Sequence, residues 1–171
     1  AAAARLIPNN AAIIINSGTT TAAVARNLAQ HAGLKVVTDS VSVANEIKAF
    51  TGIELMVPGG TVRRSDGAIL GEAAVDFIRQ FRADIAVIGA TAIASDGSLL
   101  DYDLREAYVA RAIIENARHV ILAADSTKYE RIAPVCIGHL SQVHTLVMDA
   151  GCPVQLRQLC EVHGVSLTEA R

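Results

Sequence analysis

A β-branched run that stops at a hydroxyl-rich turn constrains this chain more than any other feature. Ile13-Ile14-Ile15-Asn16 leads into Ser17-Gly18-Thr19-Thr20-Thr21, and an Ala-rich, helix-compatible segment follows at once. The pattern is strand, tight turn, helix N-terminus. Such a junction leaves the first amides of the helix without intrahelical partners and adds the positive end of the helix dipole. Gly18 lets the backbone approach a ligand closely, and Ser17, Thr19, Thr20 and Thr21 supply further donors. One hydroxyl before a helix is an ordinary N-cap. Four around a glycine suit an anion site, above all for phosphate, without a Walker lysine.

The same alternation continues along the chain. Apolar runs predict strands at 12–16, 35–38, 54–57, 85–88, 120–123, 143–148 and 165–167. Helix-period segments predict helices at 21–31, 41–50, 72–81, 104–116 and 154–163, with Ser40 as an N-cap, Pro153 at a helix start and Gly164 at its stop. The strand runs are continuous rather than alternating, as strands buried on both faces require. The expected fold class is α/β, a mostly parallel sheet with helices on both faces, in a single domain over 1–171. Half of the 171 residues are hydrophobic, yet aromatics make up only 4% and Trp is absent, so Ala, Val, Ile and Leu must build the core.

Several classes are disfavoured. The net charge of −2 lacks the basic excess of a nucleic-acid surface. No apolar run approaches the roughly 18 residues of a membrane span. Ala1–Ala4 lacks the charged start and long apolar stretch of a signal peptide, and its monotony reads as the stub of something removed. Cys136, Cys152 and Cys160 form no C-x-x-C pair, which fits a reduced, cytoplasmic compartment. The five histidines are scattered, so neither a metal nor a cofactor is expected.

In an open parallel sheet, ligands bind beyond the carboxyl ends of the strands. The segments there are Ser17–Thr21, Thr38-Asp39-Ser40, Gly59-Gly60 with Arg63, Gly89-Ala90-Thr91, and Asp125-Ser126-Thr127-Lys128. Backbone amides with Lys128 and Arg63 suit a phosphate, while Asp39, Ser40 and Asp125 suit ligand hydroxyls. The charged group Asp101, Asp103, Arg105 and Glu106 reads more simply as a solvated helix start, and Glu106, an isolated base if any, is better read as facing solvent.

These segments, in this order, together with Gly71 and Asp96-Gly97, carry a resemblance over nearly the whole chain. It resembles the C-terminal effector domain of bacterial DeoR-type transcriptional repressors. Arg64–Ala73, Asp76-Phe77-Ile78 and Arg111–Val120 look like the family's glycerol-3-phosphate-responsive subgroup. The family often has Asn at the position of Asp39, glycine at Ala92, and an aromatic-glycine pair at Tyr129-Glu130. The resemblance implies a fold related to ribose-5-phosphate isomerase and CoA-transferase-like sheets. It also implies a phosphorylated sugar or polyol as effector, glycerol-3-phosphate being favoured, and binding that weakens DNA contact by a winged helix-turn-helix domain lying before Ala1. DNA would be met only through that domain, and no membrane.

The rival is a sugar-phosphate isomerase of the same fold. Aldose–ketose isomerisation needs a base and oxygen-polarising groups. The isomerases place two carboxylates after the fourth main strand, whereas residues 89–96 here offer one, Asp96, before Gly97. The expectation is therefore a sensor and not an enzyme. A mean hydropathy of +0.36 adds the expectation of a homo-oligomer, dimer or tetramer.

Overall fold

The computed structural model describes residues 1–170. In chain order it runs α1 (Ala2–Arg5), β1 (Ala12–Ile15), α2 (Thr19–Arg26), β2 (Leu34–Thr38), α3 (Val41–Ile47) and β3 (Ile53–Met56). Then come β4 (Thr61–Val62), β5 (Ile69–Leu70), α4 (Glu72–Arg79), β6 (Ala83–Ile88), β7 (Ala92–Ile93), β8 (Ser98–Asp101) and α5 (Leu104–Glu115). The last part holds β9 (Ala117–Ala124), β10 (Val135–His139), β11 (Thr145–Asp149), α6 (Val154–His163) and β12 (Ser166–Ala170).

Seven strands form one sheet in the order β12-β11-β9-β6-β1-β2-β3. Every pairing in it is parallel. Successive side chains of a strand point to opposite faces, and β1 shows the result. Ile13 and Ile15 enter the layer built with α1, α2 and α3, while Ile14 enters the layer built with α4, α5 and α6. Val36 and Val37, Val87 and Ile88, and Ile121 and Leu122 divide in the same way. Burial on both faces explains why these strands read as unbroken apolar runs.

The chain builds outward from β1 toward β3, then jumps to β6 and builds toward β12 on the other side. The crevice at the carboxyl ends of β1 and β6 is thus the topological switch point, where such sheets bind ligands. Asn16 stitches it together. Its N–H donates to the Val87 carbonyl at 3.1 Å, and its side-chain oxygen accepts from Gly89 N–H at 3.0 Å.

Two small antiparallel sheets, β4–β5 and β10-β8-β7, accompany the main one. The seven predicted strands are the seven of the main sheet, displaced by a few residues at their ends, and the five short strands lie outside that prediction. Helix 154–163 has its predicted bounds, with Gly164 left-handed at φ 68°. Helix α2 begins two residues earlier than predicted and ends five earlier, at Arg26, where the side chain of the C-cap Asn27 turns back to the Ala23 carbonyl. Ala2, Ala3 and Ala4 belong to the short helix α1. They are buried against α2 and β12, and His31 Nε2 lies 3.1 Å from the Ala4 carbonyl oxygen and 3.0 Å from that of Ile7.

Candidate functional site

A cavity of about 360 Å³ opens at the switch point. One end is the N-terminus of α2. Ala22 is the first amide to bond backward, to the Gly18 carbonyl at 3.0 Å. Among the described residues, the N–H groups of Gly18, Thr19, Thr20 and Thr21 meet no protein acceptor, and no side chain caps the helix. Thr21 is fully buried and donates its hydroxyl to the Asn16 carbonyl (2.7 Å) or the Gly18 carbonyl (2.9 Å), fixing the turn. Ser17 is buried too, and its hydroxyl has no hydrogen-bond partner among the described residues. A buried hydroxyl without a partner is costly and calls for an explanation. Here it lines a cavity beside free amides, where an anion would satisfy it.

Asp39 lies beneath this turn and outside the cavity lining. One carboxylate oxygen accepts from Ser17 N–H at 2.8 Å. Complete burial pushes its pKa up to about 7, against the lowering effect of the Ser17 bond, and Glu106 and Asp66 raise it further. Its neighbours are equally committed. Thr38 accepts from Ser40 N–H at 3.2 Å, and Ser40 caps α3 by accepting from Val43 N–H at 3.1 Å. All three side chains hold the end of β2 to what surrounds it.

The opposite wall comes from the β4–β5 hairpin and the start of α5. Arg63, on the hairpin, donates to Asp66 at 2.9 Å, to Asp103 at 3.0 Å and to Glu106 at 2.7 Å. The carboxylates around it raise the Arg63 pKa, the Asp66 hydrogen bond most. Asp103 is held down to about 2, by Arg105 first. Glu106 is pushed up, because burial outweighs its bond to Arg63. The expectation of a solvent-facing Glu106 is therefore corrected: its side chain is 12% exposed and braces the hairpin. Two glycines let the hairpin close. At Gly67, φ is +78° and a Cβ would come within 2.8 Å of the Ser42 hydroxyl; at Gly60, φ is +149° and a Cβ would meet the Leu70 carbonyl.

Lys128 completes the lining and makes no ion pair among the described residues. It stands at the end of a short 3-10 turn that Asp125 caps by accepting from Thr127 N–H at 3.0 Å. Of the thirteen residues read from the sequence, the cavity brings together Ser17, Gly18, Thr19, Thr20, Thr21, Arg63 and Lys128. Thr38, Asp39, Ser40, Gly59, Gly60 and Asp125 lie outside its lining. Asp101, Asp103 and Glu106, which read from sequence as a solvated helix start, line it. Their clue was the charge cluster itself; its partner Arg63 is 43 positions from Glu106.

The comparisons agree with this architecture. The family model of the DeoR C-terminal sensor domain matches residues 1–150. The chain belongs to the DeoR sensor-domain family. It is 43% identical, over 96% of its length, to the glycerol-3-phosphate regulon repressor of Escherichia coli K12, covering 65% of that protein. It is 41% identical, over 91% of its length, to the HTH-type transcriptional repressor CsqR of the same organism, covering 60% of it. The chain thus spans less than two thirds of these relatives, which are repressors rather than enzymes. Among solved structures it resembles ribose 5-phosphate isomerase A of Methanocaldococcus jannaschii, with a TM-score of 0.53 and 15% identity over 75% of this chain and 50% of that one. That likeness is one of fold, and it is the fold expected from the sequence. No helix among the described residues is long and apolar enough to cross a membrane.

Proposed function

We propose that this sensor domain binds a phosphorylated sugar or polyol, glycerol-3-phosphate being favoured, with its phosphate on the N-terminus of α2. The carrying observation is the buried, partnerless Ser17 hydroxyl beside the free amides of Gly18 to Thr21. Lys128, in the same cavity lining and without an ion pair among the described residues, adds a positive charge for the phosphate. The similarity to a glycerol-3-phosphate regulon repressor supports the choice of effector. In the longer protein, binding would weaken operator contact by a winged helix-turn-helix domain outside residues 1–171. The β4–β5 hairpin and the β7–β8 segment flank the cavity, and their closure on the ligand is the movement that would be transmitted. A ligand shifts such an equilibrium only by its differential affinity for the two states. Exposed Tyr102, Leu104 and Ile132 fit association into a dimer or tetramer, which sedimentation would measure.

The deciding experiment is a thermal shift of the 1–171 chain with glycerol-3-phosphate and a panel of pentose and hexose phosphates. A ligand at a hundred times its Kd adds about 2.7 kcal/mol. Thr20→Val is expected to weaken the active compound about tenfold or more, since hydrogen bonds to charged groups contribute about 1.5–3 kcal/mol. An unaltered melting temperature with every compound would refute the reading. Unaltered affinity in Thr20→Val would place the phosphate elsewhere.

A further inference from the structure

The cavity lining has a second part whose chemistry is the reverse of the α2 turn. Asp66, Asp101, Asp103 and Glu106 line it around one cation, Arg63, the other lining cation, Lys128, being the one assigned above to the phosphate. Arg63 is already committed to Asp66, Asp103 and Glu106. Both oxygens of Asp103 are occupied, Oδ1 by Arg105 N–H at 2.9 Å and Oδ2 by Arg63 at 3.0 Å. Those of Asp66 are occupied by Arg63 and by Ala68 N–H.

Two oxygens differ. Asp101 uses Oδ1 to accept from Tyr102 N–H at 2.7 Å and from the Thr91 hydroxyl at 3.1 Å, while its Oδ2 meets no protein donor among the described residues. Glu106 uses Oε2 for Arg63, and its Oε1 likewise meets none. An ionised carboxylate only accepts. The acidic part of the lining therefore offers two acceptors without donors, while the α2 turn offers the Ser17 hydroxyl and four amides without acceptors.

Given a phosphate on the N-terminus of α2, as proposed above, we infer that Asp101 and Glu106 accept hydrogen bonds from hydroxyls at the far end of the effector. They thereby make the site select phosphorylated polyols and sugars over phosphorylated sugar acids. A carboxylate placed there finds no free cation, because Arg63 is saturated and Lys128 serves the phosphate in the reading above, and it faces the like charge of Asp101 and Glu106. Discrimination by repulsion is as effective as discrimination by attraction. The unpaired acceptors also penalise a deoxy analogue, which leaves them without donors.

Matched pairs test this. Glycerol 3-phosphate and 3-phosphoglycerate differ by a CH2OH against a carboxylate, as do glucitol 6-phosphate and 6-phosphogluconate. Calorimetric titration of the 1–171 chain at neutral pH, with inorganic phosphate as a third probe, gives the affinities. The expected result is that the alcohol of at least one pair binds about tenfold or more tightly than its acid, the ratio that 1.4 kcal/mol sets. Asp101→Asn, which leaves the contacts of Arg63 intact, is expected to narrow that gap, and Glu106→Gln to do the same. Equal binding of alcohol and acid, or a gap untouched by Asp101→Asn, overturns the inference while the phosphate reading stands. If no member of either pair binds and inorganic phosphate fails as well, the phosphate reading falls and takes the inference with it.

Discussion

At the scale of single residues, the site depends on polar groups buried under the turn rather than those displayed in it. Thr21 donates its hydroxyl inward, to the carbonyl of Asn16 or of Gly18. Thr21→Val keeps the shape and removes that donor, leaving a buried carbonyl short of a partner. The expected loss is about 1–3 kcal/mol, read as a drop of several degrees in melting temperature. Asp39 gives the second prediction. Its folded pKa of about 7 lies above the ordinary aspartate value of 3.8, so the native state holds the proton more firmly than the unfolded chain does. Stability from this group is present below pH 4 and is lost as pH rises from about 4 to 7, with a slope of at most roughly 1.4 kcal/mol for each step of one in pH. Asp39→Asn keeps an acceptor for Ser17 N–H and removes the titration. Denaturant melts across pH 4–8 should show a downward slope in the parent that flattens in the variant; parallel curves would mean that Asp39 titrates normally.

At the scale of elements, the hairpin β4–β5 is tied to α5 by one side chain. Arg63→Ala removes its ties to α5 and leaves Glu106, 12% exposed, without a counter-charge. Breaking a fully buried pair costs about 3–5 kcal/mol; with Arg63 24% exposed, about 1–3 kcal/mol is expected. Hydrogen exchange should accelerate in residues 61–70 and at the start of α5, and not in β1 or β6. This hairpin also marks where the sequence stops being legible. The seven parallel strands are readable because burial on both faces demands unbroken apolar runs, and Ile13-Ile14-Ile15 supplies residues to both layers. Strands β4 and β5 are two residues each and are set by tertiary bonds, such as Ile69 N–H to the Asp39 carbonyl at 2.7 Å. No local pattern encodes such a bond. The cavity follows the same division. The turn at Ser17–Thr21 is contiguous and therefore legible. The acidic wall needs Arg63 to meet residues 40 and 43 positions away, so in sequence Asp103 and Glu106 look like an ordinary helix start. Strand-end position alone does not separate Lys128, which lines the cavity, from Asp125, which caps its own turn.

At the scale of the whole molecule, the arrangement joins a turn held by buried hydrogen bonds to walls held by partly exposed ion pairs. The α2 turn is anchored to the sheet by Asn16, Thr21 and Asp39, so it is suited to holding an anion in a fixed place. The hairpin and the start of α5 reach the same cavity through ion pairs that are partly exposed, so they are the parts a ligand can rearrange. Such pairs respond to salt, screened over about 8 Å at physiological ionic strength. In the longer protein the effector and the operator would then be linked through one conformational equilibrium, and linkage is reciprocal. If a saturating polyol phosphate weakens operator binding by some factor, saturating operator DNA must weaken effector binding by that same factor. Couplings of this kind commonly amount to about 5–150-fold. Fluorescence titration of the longer protein with operator, with and without effector, gives one side of the cycle. Calorimetric titration with effector, with and without operator, gives the other. Arg63→Ala should reduce both factors together, because it loosens the wall that distinguishes the two states while leaving the α2 turn in place. A variant that lost effector affinity yet kept the full coupling factor would show that the signal leaves the cavity by another route than the hairpin.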